Sequence, residues 1–219
     1  VLAGGTGFYI KAMAEGLNDI PAVPDAVRSE VEAMREDFGA KAFHARLAEV
    51  DTGTAERLPA ADRQRVIRAM EVYLATGRSL TDWHEGAPVP VVTEARFLSV
   101  LLDPSREILN AASDARFDAM LAAGALEEAA ALKALRLDAA LPAMKSLGLG
   151  ELFAHLDGDM SLDAAAEAAK QATRRFAKRQ QTWFRNQFEP DYKVSAQYSE
   201  SLRYEIFSDI REFMLTAQN

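Results

Sequence analysis

The stretch from Thr173 to Arg185 reads TRRFAKRQQTWFR, five cations and no acid, in a 219-residue chain whose formal net charge is −8. The rest of the chain is therefore more acidic still, and the basic stretch is a placed feature. At about 100° per residue, Arg174, Lys178, Gln181 and Arg185 fall on one stripe of a helix, with Phe176 and Trp183 opposite. Such a helix can dock its aromatic side on a core and offer positive charge to a polyanion. Without a partner it is an ordinary solvated amphipathic helix. Like charges at helical spacing repel, so the stripe costs stability unless an anion or an acidic neighbour offsets it.

Three further groups could carry chemistry. Gly4-Gly5-Thr6-Gly7 follows the apolar Val1-Leu2-Ala3. It sets backbone N–H groups and one hydroxyl at a helix start, which suits an anion or serves as a plain tight turn. It has no phosphate-loop lysine. Arg116 shares a helical face with Leu109, Ser113 and Met120, and that face is predicted to meet the core. An arginine there is costly unless it meets an anion. It would then be a fork for phosphate or diphosphate, a structural ion pair or a snorkelling side chain. Gln64, Arg65 and Arg68 form a polar stripe able to touch a phosphate backbone or bases, or simply water. His44, His84 and His155 have no ligand spacing, so no histidine metal site is predicted. The absence of cysteine excludes disulfides, thiolate metal sites and cysteine nucleophiles.

The elements that position these groups follow from periodicity and breakers. Val1 to Ala3 read as the end of a buried strand, followed by a turn and a helix to about Leu17. Pro21 and Pro24 mark an exit. A helix opens at Asp25 with Val27, Val31 and Met34 on one face. Asp62 to Thr76 is the clearest helix, with Val66, Ile67, Met70, Tyr73 and Leu74 inward and Gly77 as its stop. Gly86 to Pro90 is a loop. Phe97 to Leu102 reads as a buried strand. Helices follow over Arg106 to Ala123, Leu126 to Leu135 and Glu151 to Leu156. A glycine-containing connection spans Leu141 to Gly150. Ser161 caps a long helix to about Phe188. A short strand at Tyr192 to Ala196 and a helix at Ser201 to Leu215 close the chain. The order is that of an α/β core, residues 1–23 and 90–219, interrupted by a helical insertion at 24–89.

With 49% hydrophobic residues the chain can bury a core, and 26% charged residues is the globular average. No apolar run approaches the roughly 20 residues of a spanning helix. A strand end running into a glycine turn reads as the interior of a fold, so a preceding N-terminal part is expected.

GGTGFYIKAMAEGL, DRQRVIRAMEVYLATGRSL, ARFDAMLAAGALEE and ATRRFAKRQQTWFR, in this order, resemble the bacterial tRNA dimethylallyltransferases (tRNA isopentenyltransferases) over about residues 1–188. The resemblance implies transfer of a dimethylallyl group from dimethylallyl diphosphate to N6 of adenosine 37, beside the anticodon of tRNA. It implies the C-terminal portion of a P-loop-NTPase-like α/β core, predominantly helical here, with the insertion facing tRNA. Nucleotide (ATP) binding, Mg²⁺, a cytoplasmic location and no membrane come with it; the oligomeric state stays open, a monomer being favoured. Residue by residue, Arg116 matches an arginine on the diphosphate and Thr6 a threonine at the tRNA end of the reaction channel; both count as catalytic candidates. Arg28, Gln64, Arg65, Val66, Ile67 and Arg68 match tRNA-contacting positions, as do Lys145, Ser146, Leu147, Gly148, Leu149 and Gly150. Arg174, Lys178, Arg179 and Arg185 are candidate anion contacts.

The chain departs from the family at Leu149 and Gly150, where a tyrosine and a cation are usual, and at Ala112, where relatives often carry a second arginine. The family's phosphate loop and catalytic aspartate are expected upstream of Val1, so the 219 residues alone are expected to be inactive. Two other readings remain: an adenylate dimethylallyltransferase acting on a free nucleotide, and a nucleic-acid-binding module without catalysis.

Overall fold

The computed structural model describes residues 1–89, 91–93 and 95–216. Pro90, the last residue of the expected loop, lies outside them. The chain divides into two compact units: Phe8–Ala95, and Val1–Gly7 together with Arg96 onward. The boundary thus falls earlier than the prolines suggest. Helix α1 (Gly7–Glu15) groups, but for its first residue, with the helical unit. A two-way backbone bridge explains this: Leu17 N–H donates to Val89 O at 3.3 Å and Val89 N–H to Leu17 O at 2.8 Å.

The helical unit continues with α2 (Asp25–Val50), α3 (Thr52–Arg57), α4 (Arg63–Thr76) and α5 (Leu80–Glu85). Its core gathers Val31, Phe43, Leu47, Val66, Ile67 and Met70. Helix α2 is interrupted at Gly39, whose φ of 70° and ψ of 171° are not helical. Asp62 and Ser79 cap the starts of α4 and α5, and left-handed Gly77 closes α4. On α4 the buried stripe takes in Ala69 and Val72, while Leu74, expected inside, is exposed.

Asp51 is the polar centre of this unit. Its carboxylate accepts Thr54 N–H at 3.0 Å, Thr81 N–H at 3.2 Å and the Thr81 hydroxyl at 2.5 Å. It thereby ties the start of α3 to the start of α5. Burial alone would push this carboxyl up, but the combined donors from Thr81 and Thr54 hold it below its ordinary value.

The second unit holds β1 (Val100–Leu102), α6 (Arg106–Ala122), α7 (Ala125–Ala134), a 3₁₀ turn (Pro142–Lys145), α8 (Leu149–Leu156), α9 (Leu162–Gln187), β2 (Tyr192–Val194) and α10 (Glu200–Thr216). The two strands pair in parallel, Val100 with Tyr192, Leu101 with Lys193 and Leu102 with Val194. The mostly helical chain with a small parallel sheet is consistent with the α/β class. Two strand expectations are corrected. Val1 to Ala3 are exposed and form no strand among the described residues. The Phe97–Leu102 run yields only three strand residues, half-buried or exposed, because a strand with one neighbour has one ladder and no second sheet face over it.

Helix α9 packs on α6 and α8 through alanines. Ala165, Ala169 and Ala177 are buried, with Phe117 of α6 and Leu152 of α8 against this seam. Phe176, expected to dock, is 39% exposed. Small side chains let helix axes approach closely, so the seam that matters carries no large hydrophobe. Ion pairs set its register: Asp118 with Lys170 at 2.5 Å, then Asp114 with Arg174 at 2.6 Å, as antiparallel helices require. Gly148 stands beside the seam in the left-handed region (φ 88°), where a Cβ would come 2.8 Å from the Phe117 ring.

Two measurements test this account. Gly148→Ala is expected to cost about 2–4 kcal/mol in urea unfolding, from the left-handed Cβ penalty plus overpacking on Phe117. An unchanged midpoint would contradict it. Acid should weaken the helical unit in two stages. Burial, with Arg57 nearby, pulls the His84 pKa down against a smaller pull from Asp51. Below about pH 6.5 the unfolded chain therefore binds a proton that the folded chain refuses, and stability falls. The Asp51 contribution is present above about pH 4 and is lost as pH falls through the lowered folded value. Thermal melts of His84→Gln should lack the first decline; a wild-type melting temperature flat from about pH 7.5 to 4 would refute the first stage, and one flat below about pH 4 the second.

Candidate anion and nucleic-acid site

In the strand-containing unit, α9 presents its basic side in two different states. Arg174 is spent on the protein itself: Nη1 donates to Asp114 at 2.6 Å and Nη2 to Glu167 at 2.6 Å. Those two carboxylates, Glu167 first, push the guanidinium pKa up. Arg174 is therefore withdrawn as an anion contact, because its anions are built in. Arg179 lies over the Phe176 ring at 5.7 Å, outside the cavity described next.

Lys178 and Arg185 differ. With Gln181 and Thr182 they line a cavity of about 390 Å³ whose other wall is Asp103, Pro104, Ser105 and Arg106. The cavity sits at the carboxyl end of β1, where open parallel sheets place ligands. Gln181 anchors the walls to each other, donating to Asp103 at 3.2 Å and to the Pro104 carbonyl at 3.1 Å. Lys193 of β2 pairs with Asp103 at 2.8 Å. That pairing, more than Gln181 or the nearby Arg185, holds the Asp103 carboxyl below its ordinary value against a smaller burial effect. The wall formed by Asp103 and Arg106 was not legible as a site, since the Pro-Ser-Arg run reads only as a helix start.

Arg116 needs correction. It is exposed on α6, and the inward residue is its neighbour Phe117 at 6% exposure. The face chosen from Leu109 and Met120 is rotated by about one residue, or 100°, because Met120 is itself exposed and Phe117 with Leu121 meets the core. No ion pair engages Arg116 among the described residues. Thr6 is exposed just before α1. Gln180 donates to the Gly5 carbonyl at 2.8 Å, and Cβ atoms at Gly5 and Gly7 would collide with Gln180 and Trp183. Gly5 and Gly7 serve close approach of α9, Gly4 does not, and none of the three has positive φ. In the Lys145–Gly150 segment, Lys145, Ser146, Leu147 and Gly150 are exposed, Leu149 is half-buried and Gly148 is buried. Gly148 is thus a packing position.

In the helical unit, Arg28, Gln64 and Arg65 are exposed and Arg68 is half-buried. Arg28 lies 3.7 Å from Asp25, Arg65 3.5 Å from Asp62 and Arg68 3.7 Å from Glu71. Such exposed pairs contribute little and yield readily to a phosphate. Val66 and Ile67, at 0% and 6% exposure, are core and not contacts, since their side of α4 faces α2. His44 Nε2 bonds the Leu58 carbonyl at 2.7 Å and His155 Nδ1 the Met160 carbonyl at 3.0 Å, both local structural links.

Residues 1–187 match the family model described as IPP transferase. The chain belongs to the IPP transferase family. It is 49% identical over 217 residues to a tRNA dimethylallyltransferase of Paramagnetospirillum magneticum, covering 99% of this chain and 69% of that protein. It is 54% identical over 187 residues to that of Rhodospirillum centenum, covering 85% and 60%. Among solved structures it resembles a tRNA isopentenylpyrophosphate transferase from Staphylococcus epidermidis, with TM-score 0.54, 27% identity, and coverage of 96% of this chain and 68% of that one. The chain thus spans between 60 and 69% of these two curated relatives. Every site residue named above except Lys193 lies inside the family match; β2 and α10 lie beyond it. Among the described residues no helix is long and apolar enough to cross a membrane.

The division between spent and unspent cations is testable. Arg174→Gln should lower the urea midpoint by stranding Asp114, which has one buried oxygen without a partner already. Arg175→Gln, exposed one position on, should stay within about 0.5 kcal/mol of the parent. Equal midpoints for the two variants would contradict the assignment.

Proposed function

We propose that this chain forms part of an enzyme that transfers a dimethylallyl group from dimethylallyl diphosphate to N6 of adenosine 37 in tRNA. The observation that carries the reading is identity near 50%, over almost the whole chain, to proteins named tRNA dimethylallyltransferase. In the reaction the N6 lone pair attacks the allylic carbon, the carbon–oxygen bond to diphosphate breaks, and the amine loses a proton to a carboxylate base. The target adenine must leave its stack to present N6. We place Arg116 on the departing diphosphate, where an exposed guanidinium without an internal partner supports the role. Thr6 stands at the target base. Arg28, Gln64, Arg65 and Arg68, with Lys145 and its neighbours, contact tRNA. The strand-containing unit belongs to a P-loop-NTPase-like core, and its parallel strand pair supports that. The protein works in the cytoplasm.

Mg²⁺ would stabilise the leaving diphosphate. The described residues assemble no group of three acidic or histidine ligands for it. The 219 residues also contain no glycine-rich loop ending in Lys-Ser or Lys-Thr. Transfer by the isolated chain is accordingly expected to be absent.

The test is mass spectrometry of tRNA nucleosides after incubation with dimethylallyl diphosphate. The full-length protein should add one dimethylallyl group to an adenosine in the anticodon loop. Modification of free adenylate instead of tRNA would overturn the reading. Arg116→Ala in that protein should slow transfer about tenfold to hundredfold, as loss of a charged hydrogen bond of about 1.5–3 kcal/mol predicts. An unchanged rate at saturating substrates would remove Arg116 from the diphosphate.

A further inference from the structure

The strand pair carries a second cavity at its amino end, the end opposite to Asp103. It measures about 530 Å³ and is lined by Arg96, Phe97 and Leu98 ahead of β1, by Asp191 and Tyr192 at the start of β2, and by Phe213 of α10. All six residues belong to the strand-containing unit. The volume lies within the roughly 300–1,000 Å³ of small-molecule sites, and the lining has their make-up, apolar and aromatic with a few fixed polar groups. Asp191, Tyr192 and Phe213 lie beyond the residues that match the family model. The two charges in the lining are of opposite sign, yet they form no ion pair with each other among the described residues. Each is held by its own tether. Asp191 Oδ2 accepts the Ser99 hydroxyl at 2.6 Å and the Ser99 N–H at 2.7 Å. Those donors, the hydroxyl first, hold the carboxyl below its ordinary value and keep it ionised at neutral pH. Both bonds fall on Oδ2, and Oδ1 has no donor among the described residues. Arg96 lies over the Phe213 ring at 5.2 Å, and its Nη1 donates to the Thr216 carbonyl at 3.2 Å. Its Nε and Nη2 make no hydrogen bond among the described residues.

We infer that this cavity binds a free amino acid with an aromatic side chain. An open carboxylate oxygen and open guanidinium N–H groups, fixed apart in one wall, match a ligand that carries both an ammonium and a carboxylate. The ammonium donates to Asp191 Oδ1, and the carboxylate accepts from Arg96. The ligand's ring packs on Phe97, Tyr192 and Phe213, where aromatic pairs add to simple burial. A ligand with a single charge satisfies only one of the two groups. Both groups are held before the ligand arrives, so little side-chain freedom is lost on binding. Arg96 and Asp191 are exposed, and water weakens each charge contact, which sets the affinity near the millimolar range. The inference rests on the chemistry of this cavity and is independent of the transfer reaction.

The experiment titrates the full-length protein by calorimetry with L-phenylalanine and with ligands that each lack one feature. 2-Phenylethylamine lacks the carboxylate, 3-phenylpropionate the ammonium and L-alanine the ring; adenosine is planar but carries neither charge. L-Phenylalanine should bind one site with a Kd of about 1 mM or tighter, and each of the other four at least tenfold more weakly. This series needs no substitution, so it decides the matter even if a variant fails to fold. Arg96→Gln and Asp191→Asn, once circular dichroism shows them folded, should each weaken L-phenylalanine at least tenfold. Arg203→Gln, on α10 but outside the cavity, should stay within twofold of the parent. No saturable L-phenylalanine binding at ten times the expected Kd overturns the inference. So does binding of 2-phenylethylamine or 3-phenylpropionate within twofold of L-phenylalanine, tighter binding of adenosine, or parent affinity in both cavity variants.

Discussion

The strand-containing unit depends on how closely α9 can approach its neighbours. Ala165, Ala169 and Ala177 leave no side chain long enough to hold the helices apart, and Gly148 continues the same logic on the facing segment. Close approach alone does not choose a register, because an alanine seam can slide. The charges choose it: Asp118 and Asp114 of α6 meet Lys170 and Arg174 only in one alignment. That alignment then fixes where Lys178 and Arg185 arrive, beside Asp103 and the first residue of α6. Packing of the smallest residues and placement of the unpaired cations are therefore one constraint seen at two points along one helix.

The helical unit solves a similar problem by polar means. Its α3 and α5 are each six residues long, too short to be stable alone. Asp51 holds both starts with one carboxylate, and Gly53 leaves room for Thr81 to reach it. The cations on α4 can then be offered outward, because the opposite face of that helix is fully occupied by Val66, Ala69 and Met70.

Much of this was legible in the sequence wherever a local rule acts alone. Ser161, Asp62 and Gly77 end or begin helices by their own backbone chemistry, and each does so where expected. Errors arose where partners decide. The face of α6 was misassigned because Met120 and Leu109 outweigh a single Phe117 on a hydrophobicity count, whereas packing favours the ring that fits against Gly148 and Ala169. Phe176 was expected inside for the same reason, and alanines took its place. The break at Gly39 leaves no mark on the sequence pattern, because Val31, Phe43 and Leu47 keep an apolar period on both sides of it.

The basic stretch shows why charge counts alone are a poor guide to binding. Its five cations look alike in sequence, yet the fold sorts them by what stands opposite. Arg174 meets two carboxylates, which make it a strut. Arg179 rests on an aromatic ring. Lys178 and Arg185 face a wall whose only acid is already taken by Lys193. A cation bonded to its own protein loses those contacts if it turns to a ligand, whereas an unpaired one gives up only water. Binding free energy should therefore concentrate at the end of the helix where the internal acids run out, even though four of the five cations fall between Arg174 and Arg179.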